Sequence, residues 1–254
     1  MPTSPHPEPR QDPRDGGAVA EPVGAARDRI LGIVSHDLRA PLATISMMLA
    51  RLEGEPEMPA AERSRILRLT RRSVEWMRRM INDLLDVTSI EAGRLSITPG
   101  VADVTLLLTR AYAMFEESFE EAGVKLALDV PEFLPPTILD EERILQAVGN
   151  LLGNAVKFTP KGGSVMLSGH SDDGDIVITV RDDGPGVPSD RAPYLFDRAW
   201  QAEGVARARG AGLGLGIAKG IVDAHGGWIG LERGDDGGST FVIRLRVGGP
   251  AVPG

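Results

Sequence analysis

Glu141-Glu142-Arg143-Ile144-Leu145-Gln146-Ala147-Val148-Gly149-Asn150-Leu151-Leu152-Gly153-Asn154-Ala155-Val156-Lys157 has two faces. Ile144, Val148, Leu151 and Ala155 recur at steps of three and four, so they share one side of a helix that needs an apolar layer to lie on. Asn150, Asn154 and Lys157 fall at i, i+4 and i+7 on the opposite side, stacking two amides and an amine in a row. Amide oxygens are hard neutral ligands suited to Mg²⁺, and a lysine offers phosphate oxygens a point charge. An ordinary polar helix face reads the same way, so the row takes its meaning from its surroundings.

Strands surround it. Residues 125–130, 164–168, 175–181, 228–232 and 240–247 have strand patterns; Ile176, Ile178 and Val180 alternate, as do Phe241, Ile243, Leu245 and Val247. Further helical patterns cover residues 104–122 and 213–224, which predicts a two-layer α/β domain without internal repeats. Asp182-Asp183-Gly184-Pro185-Gly186 follows a strand and makes a tight turn, where a carboxylate can accept a hydrogen bond from an exocyclic amine such as that of adenine. A plain strand-to-loop turn looks similar. Gly210-Ala211-Gly212-Leu213-Gly214-Leu215-Gly216-Ile217 opens an apolar helix, whose free N–H groups suit phosphate. No strand precedes it and its spacing is not Gly-x-Gly-x-x-Gly, which disfavours a Rossmann fold; a Gly-Lys-Ser/Thr ending is missing too, which disfavours a P-loop. Residues 187–209, with Phe196, Trp200, Arg207 and Arg209, are long enough for a lid.

The first part of the chain is built differently. Residues 1–24 are rich in Pro, Gly, Asp and Arg and read as a disordered tail or linker remnant. Ile30, Val34, Leu38, Leu42, Ile45, Leu49 and Leu52 then form one helical stripe over residues 27–52, with a bend expected at Pro41. Gly54, Pro56 and Pro59 mark a turn. A second helix over residues 60–90 carries Ile66, Leu69, Ser73, Trp76, Met80, Leu84 and Val87 at near-heptad spacing, widened by Met77, Ile81 and Leu85. Two helices cannot cover so broad a face, and a second copy would complete a four-helix bundle. Within Ile33-Val34-Ser35-His36-Asp37-Leu38-Arg39-Ala40-Pro41-Leu42, Val34 and Leu38 share a face and His36 lies roughly 200° round the axis from it. That puts His36 toward solvent, with Asp37 able to bias its tautomer and leave one nitrogen nucleophilic.

Composition agrees with two soluble units. The chain has 254 residues, 42% of them hydrophobic, and neither a membrane-length apolar run nor an N-terminal signal core, so the expectation is a cytoplasmic protein without direct membrane insertion. It has no cysteine, which excludes disulfides and thiolate metal sites. A net charge of −8 argues against a nucleic-acid partner, and Arg71, Arg72, Arg78 and Arg79 read as a solvated helix face.

The His36 segment resembles the phosphoacceptor motif of bacterial two-component sensor histidine kinases. Asn150 to Phe158, Asp182 to Gly186, Phe196 to Trp200 and Gly210 to Ile217 resemble, in order, the N, G1, F and G2 boxes of that family's ATP-binding domain. Gly238-Ser239-Thr240-Phe241 is similar to its closing Gly-x-Thr-Phe. The resemblance implies a helical-hairpin dimerisation domain (residues 25–95, a four-helix bundle in the dimer) followed by an α/β two-layer sandwich ATP-binding domain (96–248) and a tail (249–254). It further implies His36 as phosphoacceptor with Asp37 beside it, and Asn150 as Mg²⁺ ligand. Asn154 and Lys157 would contact phosphate and Asp182 would recognise adenine. Gly184 and Gly186 would shape the base pocket, Gly212 and Gly214 would approach the phosphates, and Thr240 would lie near the adenine; Phe158 and Leu213 belong to the matched boxes. The implied cofactors are ATP and Mg²⁺, and the implied partners are a second copy and a response-regulator receiver domain.

Three positions depart from the family pattern. Ile30 stands where an aromatic is usual, and Ala199 where a second phenylalanine is usual. Ala40 replaces the Thr or Asn of members that also dephosphorylate their regulator, which puts the phosphatase activity in doubt. Two rival readings remain: an ATP-driven clamp of the gyrase, mismatch-repair and chaperone type, and a non-catalytic signalling scaffold. Asn150 stands where the clamps carry a glutamate base, which disfavours attack by water. The retained His36, Asp37, Asn150 and Asp182 disfavour the scaffold.

Overall fold

The computed structural model describes residues 23–55, 57–196, 213–233 and 237–248, with backbone alone for 23–37 and 233. Helices α1 (Val23–Gly54) and α2 (Ala60–Glu91) pack as a hairpin. α1 runs through Pro41 as one helix; a single missing rung does not end it. Ile66, Met80 and Val87 of α2 are buried, whereas Leu42, Met47, Leu49, Leu67, Val74, Ile81 and Leu85 are exposed along the two helices. Past the end of α2, Gly93 has a φ of 61° that lets the chain reverse; the N–H of Gly93 bonds to Ile90 O and that of Arg94 to Ser89 O.

The chain then builds β1 (Gly100–Ala102), α3 (Val104–Ala122), β2 (Lys125–Asp129), β3 (Thr137–Leu139), α4 (Glu141–Phe158), β4 (Ser164–Asp172) and β5 (Asp175–Asp182). After a 3₁₀ turn at Ala192–Tyr194 come α5 (Gly214–Ala224), β6 (Trp228–Arg233) and β7 (Ser239–Arg246). The main sheet has the order β2-β4-β5-β7-β6, with β2 and β4 parallel and the other pairs antiparallel. Cross-strand partners lie on one side, so Ile176, Ile178 and Val180 share a face with Leu245, Ile243 and Phe241, and α3, α4 and α5 pack over it. Ile144, Leu151, Leu152, Ile217 and Ile221 are wholly buried there, each stabilising the layer by about 1.5–3 kcal/mol.

Two features go beyond the sequence pattern. β1 and β3 form a separate two-stranded antiparallel ribbon, too short for a periodicity. β4 continues to Asp172 because it pairs with β5 up to Asp172↔Asp175, where Asp173 (φ 47°) and Gly174 (φ 83°) close a two-residue hairpin. Among the described residues no helix is long and apolar enough to cross a membrane. The expected tails at 1–24 and 249–254 fall outside the described residues, except that α1 already begins at Val23.

Candidate nucleotide-binding site

The site grows from α4. Asp140 caps its start by accepting the N–H of Arg143 at 3.1 Å, Glu141 and Glu142 lie in its first turn, and Lys157 lies in its last, matching the helix dipole. Its buried face is Ile144, Leu145, Ala147, Val148, Leu151, Leu152 and Ala155, which leaves Asn150, Asn154 and Lys157 half-buried on the other side. Asn150 Nδ2 is buried without a hydrogen-bond partner. A buried unpaired amide is costly, and an oxygen of a bound phosphate would satisfy it. Gly214, the first residue of α5, closes directly on this amide: a Cβ there would lie 3.4 Å from Asn150 Cγ and Oδ1. The free N–H groups of α5 therefore start beside Asn150. Buried Leu213 precedes them, its carbonyl accepting from Ile217 N at 3.0 Å, while Gly210 to Gly212 lie outside the described residues.

The turn after β5 closes on the far end of the same helix. A Cβ on Gly184 would lie 3.3 Å from the carbonyl oxygen of Phe158 and 2.7 Å from Asp182 Oδ1, so only glycine lets the turn sit there. Asp182 is 7% exposed and accepts the N–H of Gly184 at 3.0 Å. Burial pushes its carboxyl above the usual carboxylate range, and the N–H groups of Gly184 and Ser239 oppose that shift. The neighbouring carboxylate does something else: Asp183 takes the N–H and hydroxyl of Ser164 at 2.8–2.9 Å and ties β5 to the start of β4. Of the twin aspartates, Asp182 is left for the pocket. Gly186 has φ 70° and passes so close to Gly238 that a Cβ would meet its carbonyl oxygen at 2.9 Å.

Along the row, Lys157 Nζ stands 5.0 Å from the ring centre of exposed Phe158. One amide oxygen at Asn150 is a minimal metal site, and among the described residues no group of three His, Cys, Asp or Glu could hold a metal. That donor set fits a Mg²⁺ ion held mainly by nucleotide phosphates and water.

Thr240 does not belong with Asp182. The β5–β7 register pairs it with Arg181, and Asp182 pairs with Ser239 on the other face of the sheet. Ser239 is 6% exposed and sets its N–H on the Asp182 carboxylate. Phe196, at the start of the expected lid, packs edge-on against Phe241 with ring centres 6.5 Å apart. Ala199, Trp200, Arg207 and Arg209 lie outside the described residues, as do the side chains of His36 and Asp37, whose backbone is part of α1. Ala40 is exposed.

Sequence reasoning missed a polar joint between the hairpin and α4. Asp86 of α2 accepts from Arg143 Nη1 at 2.7 Å and from Gln146 Nε2 at 2.5 Å. It is a long-range contact with no local signal.

Comparison with known proteins gives two family matches. Residues 26–93 match the His Kinase A (phospho-acceptor) domain, and residues 139–249 match the histidine kinase-, DNA gyrase B- and HSP90-like ATPase. The chain is 32% identical over 227 residues to the adaptive-response sensory kinase SasA of Microcystis aeruginosa, covering 87% of this chain and 59% of that protein. It is 36% identical over 236 residues to the histidine protein kinase DivJ of Caulobacter vibrioides, covering 90% and 38%. Among solved structures, full-length ShkA in complex with AMPPNP superposes with a TM-score of 0.64 at 28% identity, covering 89% of this chain and 47% of that one. The chain thus spans little more than half the length of SasA, and less of DivJ.

Proposed function

The chain belongs to the two-component sensor histidine kinases, and from that premise we propose that it transfers the γ-phosphoryl group of ATP to His36 and passes it on to an aspartate of a response regulator. The observation that carries this reading is the convergence on the polar row of α4: the α5 N-terminus closes on Asn150, and the Asp182 turn closes on Phe158 two turns later. Asp182 would take the adenine amine, with Gly184, Gly186 and Ser239 shaping that end. Asn150, Asn154, Lys157 and the N–H groups from Leu213 and Gly214 onward would hold the phosphates. Mg²⁺ bound at Asn150 would neutralise charge on the triphosphate.

In the transfer step an unprotonated imidazole nitrogen of His36 attacks the γ-phosphorus. A P–N bond forms, the P–O bond to ADP breaks, and Asp37 holds the proton on the other ring nitrogen. Asn150 is an amide and cannot remove a proton from water, so a protein nucleophile is favoured over hydrolysis.

We further read the molecule as a homodimer working in the cytoplasm, where ATP and the receiver domain are available. The exposed Leu42, Met47, Leu49, Leu67, Val74, Ile81 and Leu85 support pairing of two hairpins.

The test is incubation with Mg·[γ-³²P]ATP followed by addition of receiver domains. Acid-labile, base-stable label should appear on the chain and then chase to a receiver. Release of inorganic phosphate without label on the chain would instead support an ATPase clamp.

A further inference from the structure

The polar row of α4 begins before Asn150. Arg143, Gln146 and Asn150 lie at i, i+3 and i+7, so they share one helix face, and Gln146 is a single turn from Asn150. The first two of these are held by α2. Asp86, 7% exposed, receives Arg143 on Oδ1 and Gln146 on Oδ2, and Arg143 Nη1 also donates to Gln146 Oε1 at 3.0 Å. The three side chains close a ring in which both carboxylate oxygens and both ends of the amide are used. One turn further along α2, Ile90 fits over Gly220 of α5, where a Cβ would meet Ile90 Cδ1 at 2.5 Å. Val87 between them is wholly buried in the core of the α/β layer. The last turns of α2 therefore grip the two helices that converge on the phosphate end of the pocket. A further ion pair between α2 and the layer, Arg72 with Glu121 at 2.6 Å, is exposed on both sides and holds little.

We propose that Asp86 is a positioning residue for phosphoryl transfer: it fixes α4, and with it Asn150, against the hairpin that carries His36. The proposal rests on the kinase reading above. Asp86 acts through Arg143 and Gln146, the two side chains it holds on α4. Transfer needs the phosphorus within near-attack distance of a nucleophile on another domain, and a misplacement of about 1 Å costs about 10²-fold in rate. The groups assigned above to the nucleotide lie on α4, α5, the Asp182 turn and β7, and none of them on α2. Loss of the joint should consequently divide transfer from nucleotide binding.

The test uses the full chain with Asp86→Asn. The amide has one acceptor where two donors converge, so the ring opens while the side-chain size is kept. Affinity for Mg·AMPPNP should stay within about twofold, and the rate of His36 phosphorylation at saturating ATP should fall at least about tenfold. Adding Gln146→Glu to Asp86→Asn moves the carboxylate across the ring and restores a partner for every donor, so it should recover most of the rate. The chain has no cysteine, so spin labels on Glu75→Cys and Glu142→Cys can report the separation of α2 and α4. A narrow distance distribution should broaden with Asp86→Asn and narrow again in the double variant. Affinity that falls in step with the rate, or an unchanged rate, would overturn the proposal. If the parent never phosphorylates itself, the kinase reading fails, and the spin-label distances still decide the joint: an unchanged distribution removes it.

Discussion

The hairpin and the α/β layer solve the same problem in opposite ways. The layer closes on itself: Ile144, Leu151, Ile178, Ile217 and Ile243 are inaccessible to solvent within one chain. The hairpin does not, for Met47 is 61% exposed and Leu85 58%. Apolar side chains in a helical stripe that meet nothing within their own chain are half of a core. A nucleotide site complete in one protomer, beside a His36 platform that a second copy would finish, is the division of labour we propose from this contrast.

The comparison breaks most visibly at its two extremes. Ile217→Ala removes wholly buried volume from the layer and should cost about 2–5 kcal/mol by chemical denaturation, with or without dimerisation. Leu85→Glu changes a side chain exposed in one chain, so in a monomer it should be neutral to within about 0.5 kcal/mol. We expect it to dissociate the dimer instead, read by light scattering at micromolar concentration, because it would bury an unpaired charge in the bundle. An unaffected dimer would place the interface elsewhere.

A smaller effect is expected in the pocket. Asp182→Asn should weaken Mg·ATP binding about tenfold or more, about 1.4 kcal/mol, and leave dimerisation untouched. Equal affinity by titration calorimetry would remove Asp182 from the base pocket.

Smaller again is the effect at Asp83, on α2 one turn before Asp86. Burial, followed by the Asp86 charge, raises its pKa from 3.8 to about 6. Between those values the folded state binds more protons than the unfolded state, so this group's contribution to stability falls as pH rises from about 4 to about 6 and is flat above. Asp83→Asn should therefore raise Tm relative to the parent by about 2–4 °C at pH 7 and by less at pH 4. A pH-independent difference would contradict the assignment. The smallest effect is expected from Ala40→Thr: it should speed decay of phosphorylated regulator in the presence of ADP and Mg²⁺, with autophosphorylation kept within about threefold.

Much of this was legible from local pattern. The stripe on α4 and the alternation of β5 and β7 gave the layer, because amphipathic periods report burial directly. The same alternation also sorts the closing motif. Phe241, Ile243 and Leu245 face the helices, so Ser239 shares their side and Thr240 does not. Asp173-Gly174 likewise announced a hairpin that extends β4 past Ser168. The β1–β3 ribbon and the Asp86–Arg143–Gln146 ring were not legible. Three-residue strands have no period, and the ring joins residues far apart in the chain whose types are ordinary on a helix surface.

The central proposal is that the nucleotide layer serves a histidine on the hairpin. The direct measurement is mass-spectrometric mapping of the phosphorylated residue, under conditions that preserve phosphoramidates, after incubation of the parent and of His36→Gln with Mg·ATP. The account predicts phosphate on His36 of the parent and none on the variant, with Mg·ATP affinity equal in both. Phosphate on another residue, or undiminished labelling of His36→Gln, would contradict it.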